Sequence, residues 1–348
     1  MSMPFNNREC LTVRLSALGD AILTTGVLAY WHKRAGLTFR VLTRPQLAPV
    51  FAHHPAVSRI ITVRDEDLRG AAWIRFCRSL AREMGGLPLI DLHGNLRTLM
   101  LRLLWPGPTR TYPKHSLRRR LFLATRHPLP AARLRRLNVP QRYCLALGSS
   151  PVSPDMLRPR IFLSDQEKSL AIETLARLGA QRPVAIHPYA THPAKTPRPE
   201  VWKDLVQALR SRGDEVIVIG RHEQPLLPAD PHDLTNTTDL RATSALLSLC
   251  RALVTGDSGP MHLATAVDTP VAALFGPTTR EWGFYPSGPH DKVWQIPCTM
   301  APCSLHGQDA CALGNACMRE ISTASLLELI DSSARRPLPL GGGGSAAS

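Results

Sequence analysis

Two glycine-containing segments place an acidic residue at the end of a predicted strand, where a ligand could reach it. The first is Ser16-Ala-Leu-Gly-Asp20, which follows an apolar run at residues 10–15. Gly19 would allow a tight turn, and Asp20 would open the next helix. A carboxylate at a strand tip can take part in proton transfer, whereas the structural alternative is a simple N-cap.

The second segment is Thr255-Gly-Asp-Ser-Gly-Pro-Met-His262, after an apolar run at residues 252–255. It contains Asp257, Ser258, Gly259 and His262 at the predicted start of a helix. Unpaired N–H groups at a helix start, with a histidine nearby, suit a phosphate group. The alternative is a capped helix whose histidine only packs.

Several common nucleotide-binding and metal-binding motifs are missing from the chain. There is no G-x-x-x-x-G-K-[ST] loop, no G-x-G-x-x-G after the first strand and no H-E-x-x-H. P-loop, dinucleotide-binding and zinc-protease functions therefore lose support. Asp65-Glu66-Asp67 matches the loose D-x-D pattern of metal-using sugar transferases, but it is more typical of a solvated loop.

The elements that must position these segments alternate between strands and helices. The pattern predicts strands at 10–15, 39–43, 59–63, 87–91, 183–187, 215–219, 252–255 and 271–275. It predicts helices at 21–33, 71–84, 95–104, 200–212, 239–249, 260–266 and 322–334. Such alternation predicts α/β structure with parallel sheets covered on both faces. We expect two domains, 1–158 and 159–335, and a flexible tail at 336–348.

Charge is distributed unevenly along the 348 residues, whose formal net charge is +15. No Asp or Glu occurs between Leu92 and Pro154. Segments of one sign attract nucleic acid, anionic lipid or phosphorylated glycan. The twelve bases of this acid-free segment are Arg97, Arg102, Arg110, Lys114, Arg118, Arg119, Arg120, Arg126, Arg133, Arg135, Arg136 and Arg142.

Taken together, the segments resemble glycosyltransferase family 9, the lipopolysaccharide heptosyltransferases. The signatures are VRLSALGDAI at 13–22, GDSGPMHLA at 256–264 and VAALFGP at 271–277. DLHGNLR at 91–97 looks like the acceptor-side strand and loop of the family. His187-Pro-Tyr-Ala190, followed by Lys195, looks like its diphosphate-binding loop.

The resemblance implies a GT-B architecture, in which two Rossmann-like domains face a cleft. The acceptor would bind the N-terminal domain, and the nucleotide-sugar ADP-heptose would bind the C-terminal one. Transfer would invert the anomeric centre without a metal or other cofactor. Asp20 would be the catalytic base. The donor-binding residues would be Lys195, Glu223, Asp257, Ser258, Gly259 and His262, and the acceptor-side residues Ser16, Gly19, His93, Asn95 and Arg97.

The implied acceptor is a Kdo- or heptose-bearing core on lipid A, an anionic glycolipid. We expect a monomer in the cytoplasm, attached peripherally to the anionic inner membrane of a Gram-negative bacterium, with Arg118, Arg119 and Arg120 facing the lipid. A secretory signal and a run of about 18 apolar residues are both missing from the sequence. RNA binding is disfavoured because only four aromatic residues interleave the bases.

Two features leave alternatives open. The family commonly has Lys-x-Trp-Pro where this chain has Lys195-Thr-Pro-Arg198. A different nucleotide-sugar or glycan acceptor is therefore the alternative.

The second feature is a group of four cysteines within 20 residues, without paired C-x-x-C motifs. They could form a structural metal site, form disulfides or remain free thiols. They are Cys298, Cys303, Cys311 and Cys317.

Overall fold

The computed structural model describes residues 7–298, 300–305, 307, 311, 313, 314 and 316–333. The first half of the chain contains β1 (Glu9–Val13), β2 (Thr38–Thr43), β3 (Val57–Thr62), β4 (Leu89–Asp91) and β5 (Thr109–Thr111). They form one parallel sheet in the order β3-β2-β1-β4-β5. β1 is the central strand, so the segment that follows it lies in the middle of one sheet edge.

Helices cover both faces of this sheet, and neighbouring residues of β1 point toward opposite faces. Cys10 belongs to an apolar cluster with residues of α1 (Leu18–Ala35), and Leu11 to a cluster with residues of α2 (Gly70–Met84). α3 (Leu96–Leu104) adds Leu101 to the second cluster. The sheet is thus buried on both sides, as expected for parallel strands.

Three short helices follow, α4 (Ser116–Thr125), α5 (Pro128–Arg135) and α6 (Val139–Cys144). Phe122 of α4 and Leu134 of α5 form an apolar cluster with Trp282 from the second half of the chain. Arg135 Nε also donates to Oε1 of the buried Glu281, at 2.6 Å. The acid-free segment is therefore packed against the C-terminal half.

The second half contains β6 (Val184–His187), β7 (Val216–Val218), β8 (Ala252–Gly256), β9 (Val271–Leu274) and β10 (Lys292–Trp294). These strands are parallel, in the order β10-β9-β8-β6-β7, with β8 at the centre. The helices of this half are α7 (Asp165–Arg177), α8 (Pro199–Ser211), α9 (Leu240–Leu249), α10 (Gly259–Ala266), α11 (Ala316–Arg319) and α12 (Thr323–Ser333).

The chain crosses between the halves at residues 154–161. A Cβ on Gly26 of α1 would lie 2.2 Å from the carbonyl oxygen of Arg158, so only glycine allows this crossing. Ile161 N–H then donates to the carbonyl of Ala266 in α10, at 2.9 Å. The expected boundary at residue 158 falls within this crossing and stays a prediction.

The predicted α/β architecture of two Rossmann-like halves is confirmed. Among the described residues, no helix is both long enough and apolar enough to cross a bilayer. The predicted tail at 336–348 lies outside the described residues.

Candidate active site

The starts of α1 and α10 bring the two glycine-containing segments face to face. A Cβ on Gly19 would lie 2.7 Å from Cδ2 of His262, and a Cβ on Gly259 would lie 2.7 Å from Cδ2 of Leu18. Both glycines therefore lie where the two helix starts approach closely, and a side chain at either position would displace His262 or Leu18. The carboxyl ends of the two central strands, where ligands of open α/β sheets bind, meet at this point.

Asp20 lies in the first turn of α1 and is held by two side chains that the sequence did not single out. Arg14 Nη2 lies 2.6 Å from Asp20 Oδ2, and the Tyr143 hydroxyl donates to Oδ1 at 2.5 Å. Arg14 Nη1 also donates to the Tyr143 hydroxyl, at 2.7 Å, and to the carbonyl of Leu92, at 2.5 Å. Arg14 and Tyr143 therefore fix the position of the carboxylate.

The charge state of Asp20 follows from these contacts. Burial raises the pKa of Asp20, but the Arg14 guanidinium and the Tyr143 hydroxyl outweigh it, so the pKa lies below its ordinary value. The carboxylate is ionised at neutral pH. Among the described residues, Oδ1 accepts one hydrogen bond and so keeps a lone pair for a proton. The N-cap of α1 is Ala17, so Asp20 itself is not the N-cap.

Two predicted acceptor-side residues, His93 and Asn95, lie beside this network after β4. Asn95 Nδ2 donates to His93 Nε2 at 2.8 Å, and Asn95 Oδ1 caps α3 by accepting from Thr98 N–H at 3.0 Å. Burial, then the Arg14 and Lys114 charges, lowers the pKa of His93 to about 3. His93 is therefore neutral at physiological pH, and its role at the acceptor stays a prediction.

The other acceptor-side predictions, Ser16 and Arg97, have different surroundings. The half-buried Ser16 lies in the turn before α1, and its backbone lies next to the His93 imidazole. Arg97 points elsewhere, because its Nε donates to the carbonyl of Leu68 at 3.0 Å and its own carbonyl accepts from Trp73 Nε1 at 2.9 Å. These contacts link α3 to the residues around α2, and an acceptor-side role for the exposed Arg97 stays a prediction.

Two inward-pointing arginines of the acid-free segment add positive charge near Asp20. Arg119 Nη2 donates to the carbonyl of Trp282 at 3.0 Å, and burial lowers the pKa of Arg119. The buried Arg142 donates to the carbonyl of Leu134 at 2.8 Å, and burial lowers its pKa to about 10. Within the described residues, neither forms a salt bridge. The expectation that Arg119 faces the lipid with its neighbours is wrong, because it packs against Trp282.

On the opposite side of the site, Lys195 and Asp257 form an ion pair. Lys195 Nζ lies 2.7 Å from Asp257 Oδ2, and the Thr278 hydroxyl donates to the same oxygen at 2.7 Å. The Lys195 ammonium has three N–H donors and uses one of them here. A Cβ on Gly256 would lie 2.5 Å from the carbonyl oxygen of Lys195, so the loop crosses directly over the end of β8.

Ser258 and His262 occupy the start of α10, as predicted. The Ser258 hydroxyl lies 3.0 Å from Thr255 Oγ1, which lies 3.0 Å from His187 Nδ1. Burial lowers the pKa of His187 to about 4, so this histidine is neutral. Burial also lowers the pKa of His262, although the charges of Asp257 and Asp20 oppose the shift. The charges of both carboxylates thus act on His262.

Glu223 lies in the loop after β7 and is exposed. Its carboxylate forms no hydrogen bond or ion pair within the described region, and a role at the ribose stays a prediction. The neighbouring His222 ring stacks on Tyr189 at a centroid distance of 4.9 Å.

The four C-terminal cysteines carry free thiols in the structure. Burial, together with the neighbouring thiols, raises the pKa of Cys303 to about 11. The described part of the chain holds no group of three or more side chains arranged to bind a metal ion. Cys303 N–H donates to the carbonyl of Pro277 at 2.9 Å, so this region packs directly behind the Thr278 loop.

Comparison with known proteins identifies a matching family. The model of glycosyltransferase family 9 (heptosyltransferase) matches residues 77–305. This range includes the loop after β4, Lys195 and the whole segment from Thr255 to His262. It begins after Asp20, so the assignment of that residue does not depend on the match.

Individual relatives agree with the family. The chain is 27% identical to lipopolysaccharide heptosyltransferase 1 of Pseudomonas aeruginosa over 326 residues, covering 84% of this chain and 85% of that one. It is 32% identical to lipopolysaccharide heptosyltransferase 2 of Salmonella typhimurium over 141 residues, which span only 36% of this chain and 40% of the relative. The solved structure of the E. coli ADP-heptose lipopolysaccharide heptosyltransferase II has the same fold, with a TM-score of 0.66, 18% identity and coverage of 93% and 98%.

Proposed function

The chain belongs to glycosyltransferase family 9, and we propose that it transfers heptose from ADP-heptose to the inner core of lipopolysaccharide. The acceptor would be a Kdo or heptose residue on lipid A. The observation that carries the proposal is the meeting of two helix starts, one with the ionised Asp20 and one beside the Lys195–Asp257 pair. The Pseudomonas relative, which matches most of the chain, is named for this activity.

In the proposed reaction, Asp20 removes the proton of the acceptor hydroxyl as that oxygen attacks the anomeric carbon of the donor. The glycosidic bond forms while the bond from that carbon to the diphosphate oxygen breaks. ADP leaves with the electron pair, the proton remains on Asp20, and attack from the opposite face inverts the anomeric centre. A positioned general base contributes roughly 10²–10⁴-fold to the rate.

Negative charge develops on the leaving diphosphate, and Lys195 lies where it could stabilise this charge. Its ammonium already neutralises Asp257, and its remaining N–H donors are available to phosphate oxygens. The first N–H groups of α10 add positive potential at the same place. The proposal therefore requires no metal ion or other cofactor.

The loop that carries Lys195 lacks the tryptophan common in the family, yet a different contact holds it. The buried Trp202 donates through Nε1 to the Thr196 hydroxyl at 3.0 Å, and that hydroxyl donates to the carbonyl of Pro188 at 2.7 Å. This pair of hydrogen bonds holds the Lys195 loop in place, which supports the proposed role of Lys195 although the loop sequence differs from the family pattern. A transferase that uses another nucleotide-sugar or glycan acceptor is the alternative.

We further propose that the enzyme acts as a monomer on the cytoplasmic face of the inner membrane of a Gram-negative bacterium. The proposed acceptor is a membrane glycolipid, which accounts for peripheral attachment. Nucleic-acid binding has less support, because Arg119 and Arg142 point into the protein instead of outward.

A donor panel tests the function. Purified protein would be incubated with an acyl-free Kdo-containing acceptor and one donor, which is ADP-heptose, a GDP-sugar or a UDP-sugar. The masses of the products would be measured by mass spectrometry. We expect the acceptor to gain one heptose from ADP-heptose alone. Transfer from a GDP- or UDP-sugar, with none from ADP-heptose, would overturn the donor assignment.

A further inference from the structure

The outer surface of α4 and α5 carries apolar side chains that no described part of the protein covers. Leu117, Leu121 and Leu129 are 79%, 52% and 67% exposed. Leu121 and Leu129 also line an open groove of about 390 Å³, together with Arg118 and Arg133. A single exposed leucine is ordinary, but several close together mark an interaction site.

α4 presents different chemistry on its two faces. Leu117 and Leu121 are four residues apart, so they lie on the same outer face, and Arg118 and Arg120 flank them. On the inner face, Phe122 packs against Trp282 with a centroid distance of 6.1 Å. α4 is therefore an amphipathic helix with a basic margin on its outer side.

The charge around this apolar face is positive. Arg118, Arg120, Arg133 and Arg136 are exposed, and none of them forms a salt bridge within the described residues. The surrounding sequence between Leu92 and Pro154 contains no acid that could neutralise them. Exposed leucines bordered by bases are typical of helices that lie in the interface of an anionic bilayer.

α7 shows that exposed apolar residues alone do not give this pattern. Leu170 and Ile172 are 53% and 56% exposed, similar to Leu121. Their helix carries the acids Asp165 and Glu173, which an anionic surface would repel. The two helices therefore differ in charge at a similar apolar exposure.

We propose that the surface formed by α4 and α5 docks onto an anionic phospholipid bilayer, with Leu117, Leu121 and Leu129 entering the boundary between headgroups and acyl chains. The flanking bases contact headgroup phosphates. The inference rests on the proposed function, because a lipid-linked acceptor lies in that bilayer. Arg119 on the inner face of α4 contacts Trp282 beside the active site, so docking places the acceptor near Asp20.

Co-sedimentation with vesicles tests the docking surface. One vesicle type contains two parts phosphatidylcholine to one part phosphatidylglycerol, and the other contains phosphatidylcholine only. Leu117→Ser/Leu121→Ser is compared with the wild type and with Leu170→Ser/Ile172→Ser as the matched control. We expect the α4 variant to lose about tenfold or more in partitioning to the anionic vesicles, and the α7 variant to bind like the wild type.

A second pair of variants tests the charges. Arg118→Gln/Arg120→Gln should weaken binding to anionic vesicles by about fivefold per base at low salt, and high salt should reduce wild-type binding as well. Equal wild-type binding to both vesicle types, or normal binding by the α4 leucine variant, would overturn the docking surface. Circular dichroism confirms that each variant is folded.

Transfer to the acyl-free acceptor separates this inference from the proposed function. The α4 leucine variant should transfer heptose to that soluble acceptor as fast as the wild type, and should be slow only with acceptor in vesicles. Wild-type protein that binds anionic vesicles through α4 but transfers no heptose to either acceptor would refute the function and leave the docking surface standing.

Discussion

Asp20 and Asp257 occupy corresponding places in the two halves of the molecule, and their surroundings differ. Each follows the central strand of its sheet, and each pairs with a basic side chain at 2.6–2.7 Å. The partner of Asp20 is Arg14, which also donates to Tyr143 and to a backbone carbonyl. The partner of Asp257 is Lys195, whose ammonium makes one such contact among the described residues.

This difference separates two kinds of chemistry. A planar guanidinium with three acceptors is fixed in place, so Asp20 is held in one orientation as a base must be. A lysine ammonium on a flexible side chain can keep one hydrogen bond to Asp257 and donate its other N–H groups to a bound anion. The first half is thus built to hold a carboxylate, and the second to receive a diphosphate.

The largest expected effect comes from Asp20→Asn. Asparagine keeps the shape but cannot accept the proton, so turnover should fall by roughly 10²-fold or more. Steady-state turnover with ADP-heptose measures it, and Asp155→Asn, at an exposed position outside the site, is the control. Near-normal turnover of Asp20→Asn would contradict its role as the base.

Lys195→Ala should weaken donor binding. The variant loses the charge-assisted hydrogen bonds to phosphate and leaves the Asp257 carboxylate unpaired. Together these changes should raise the KM for the donor by about 10- to 100-fold. Lys203 is an exposed lysine of α8, and Lys203→Ala should leave the donor KM unchanged. If the two alanine variants had the same donor KM, Lys195 would not contact the diphosphate.

Tyr143→Phe should change the pH dependence more than the rate. The hydroxyl that lowers the pKa of Asp20 is lost, so this pKa rises toward its ordinary value of about 4 and the acid limb of turnover moves to higher pH. In the wild type, turnover limited by this base should stay level down to about pH 5. Tyr30, a half-buried tyrosine of α1 whose ring packs against Trp31, gives the control variant Tyr30→Phe. An unshifted acid limb in Tyr143→Phe would argue against the Asp20 contact.

Thr278→Val gives the smallest expected effect. It removes one hydroxyl hydrogen bond to Asp257 and leaves the ion pair with Lys195 in place. ADP affinity should fall by about threefold, in line with a single net hydrogen bond of about 0.5–1.5 kcal/mol. A calorimetric loss as large as that of Lys195→Ala would mean that Thr278 contacts the nucleotide itself.

Local sequence patterns predicted the strand ends but not the partners of their side chains. Asp257 lies between an apolar run and α10, and Asp20 follows an apolar run and lies in the first turn of α1, so their places could be derived from nearby residues. Tyr143 is 123 positions from Asp20, in a proline-rich stretch where no helix was predicted. Only the folded chain shows that this stretch returns to the site.

The missed elements have two different causes. α7 carries a detectable signal, because Ser164 and Glu167 form a capping box in which Glu167 N–H donates to the Ser164 hydroxyl at 3.2 Å. β5 has no comparable signal, because its three residues, Thr109–Thr111, are largely exposed and none is apolar. Its position depends on pairing with β4, which is a tertiary contact.

The most direct test of the separate roles of Asp20 and Lys195 is calorimetric titration of ADP into Asp20→Asn. Asp20 is proposed to act on the acceptor hydroxyl and not on the nucleotide, so the Kd for ADP should stay within about twofold of the wild type although turnover is lost. Lys195→Ala, titrated in parallel, should bind ADP at least about tenfold more weakly. A loss of ADP affinity in Asp20→Asn equal to that in Lys195→Ala would contradict the account.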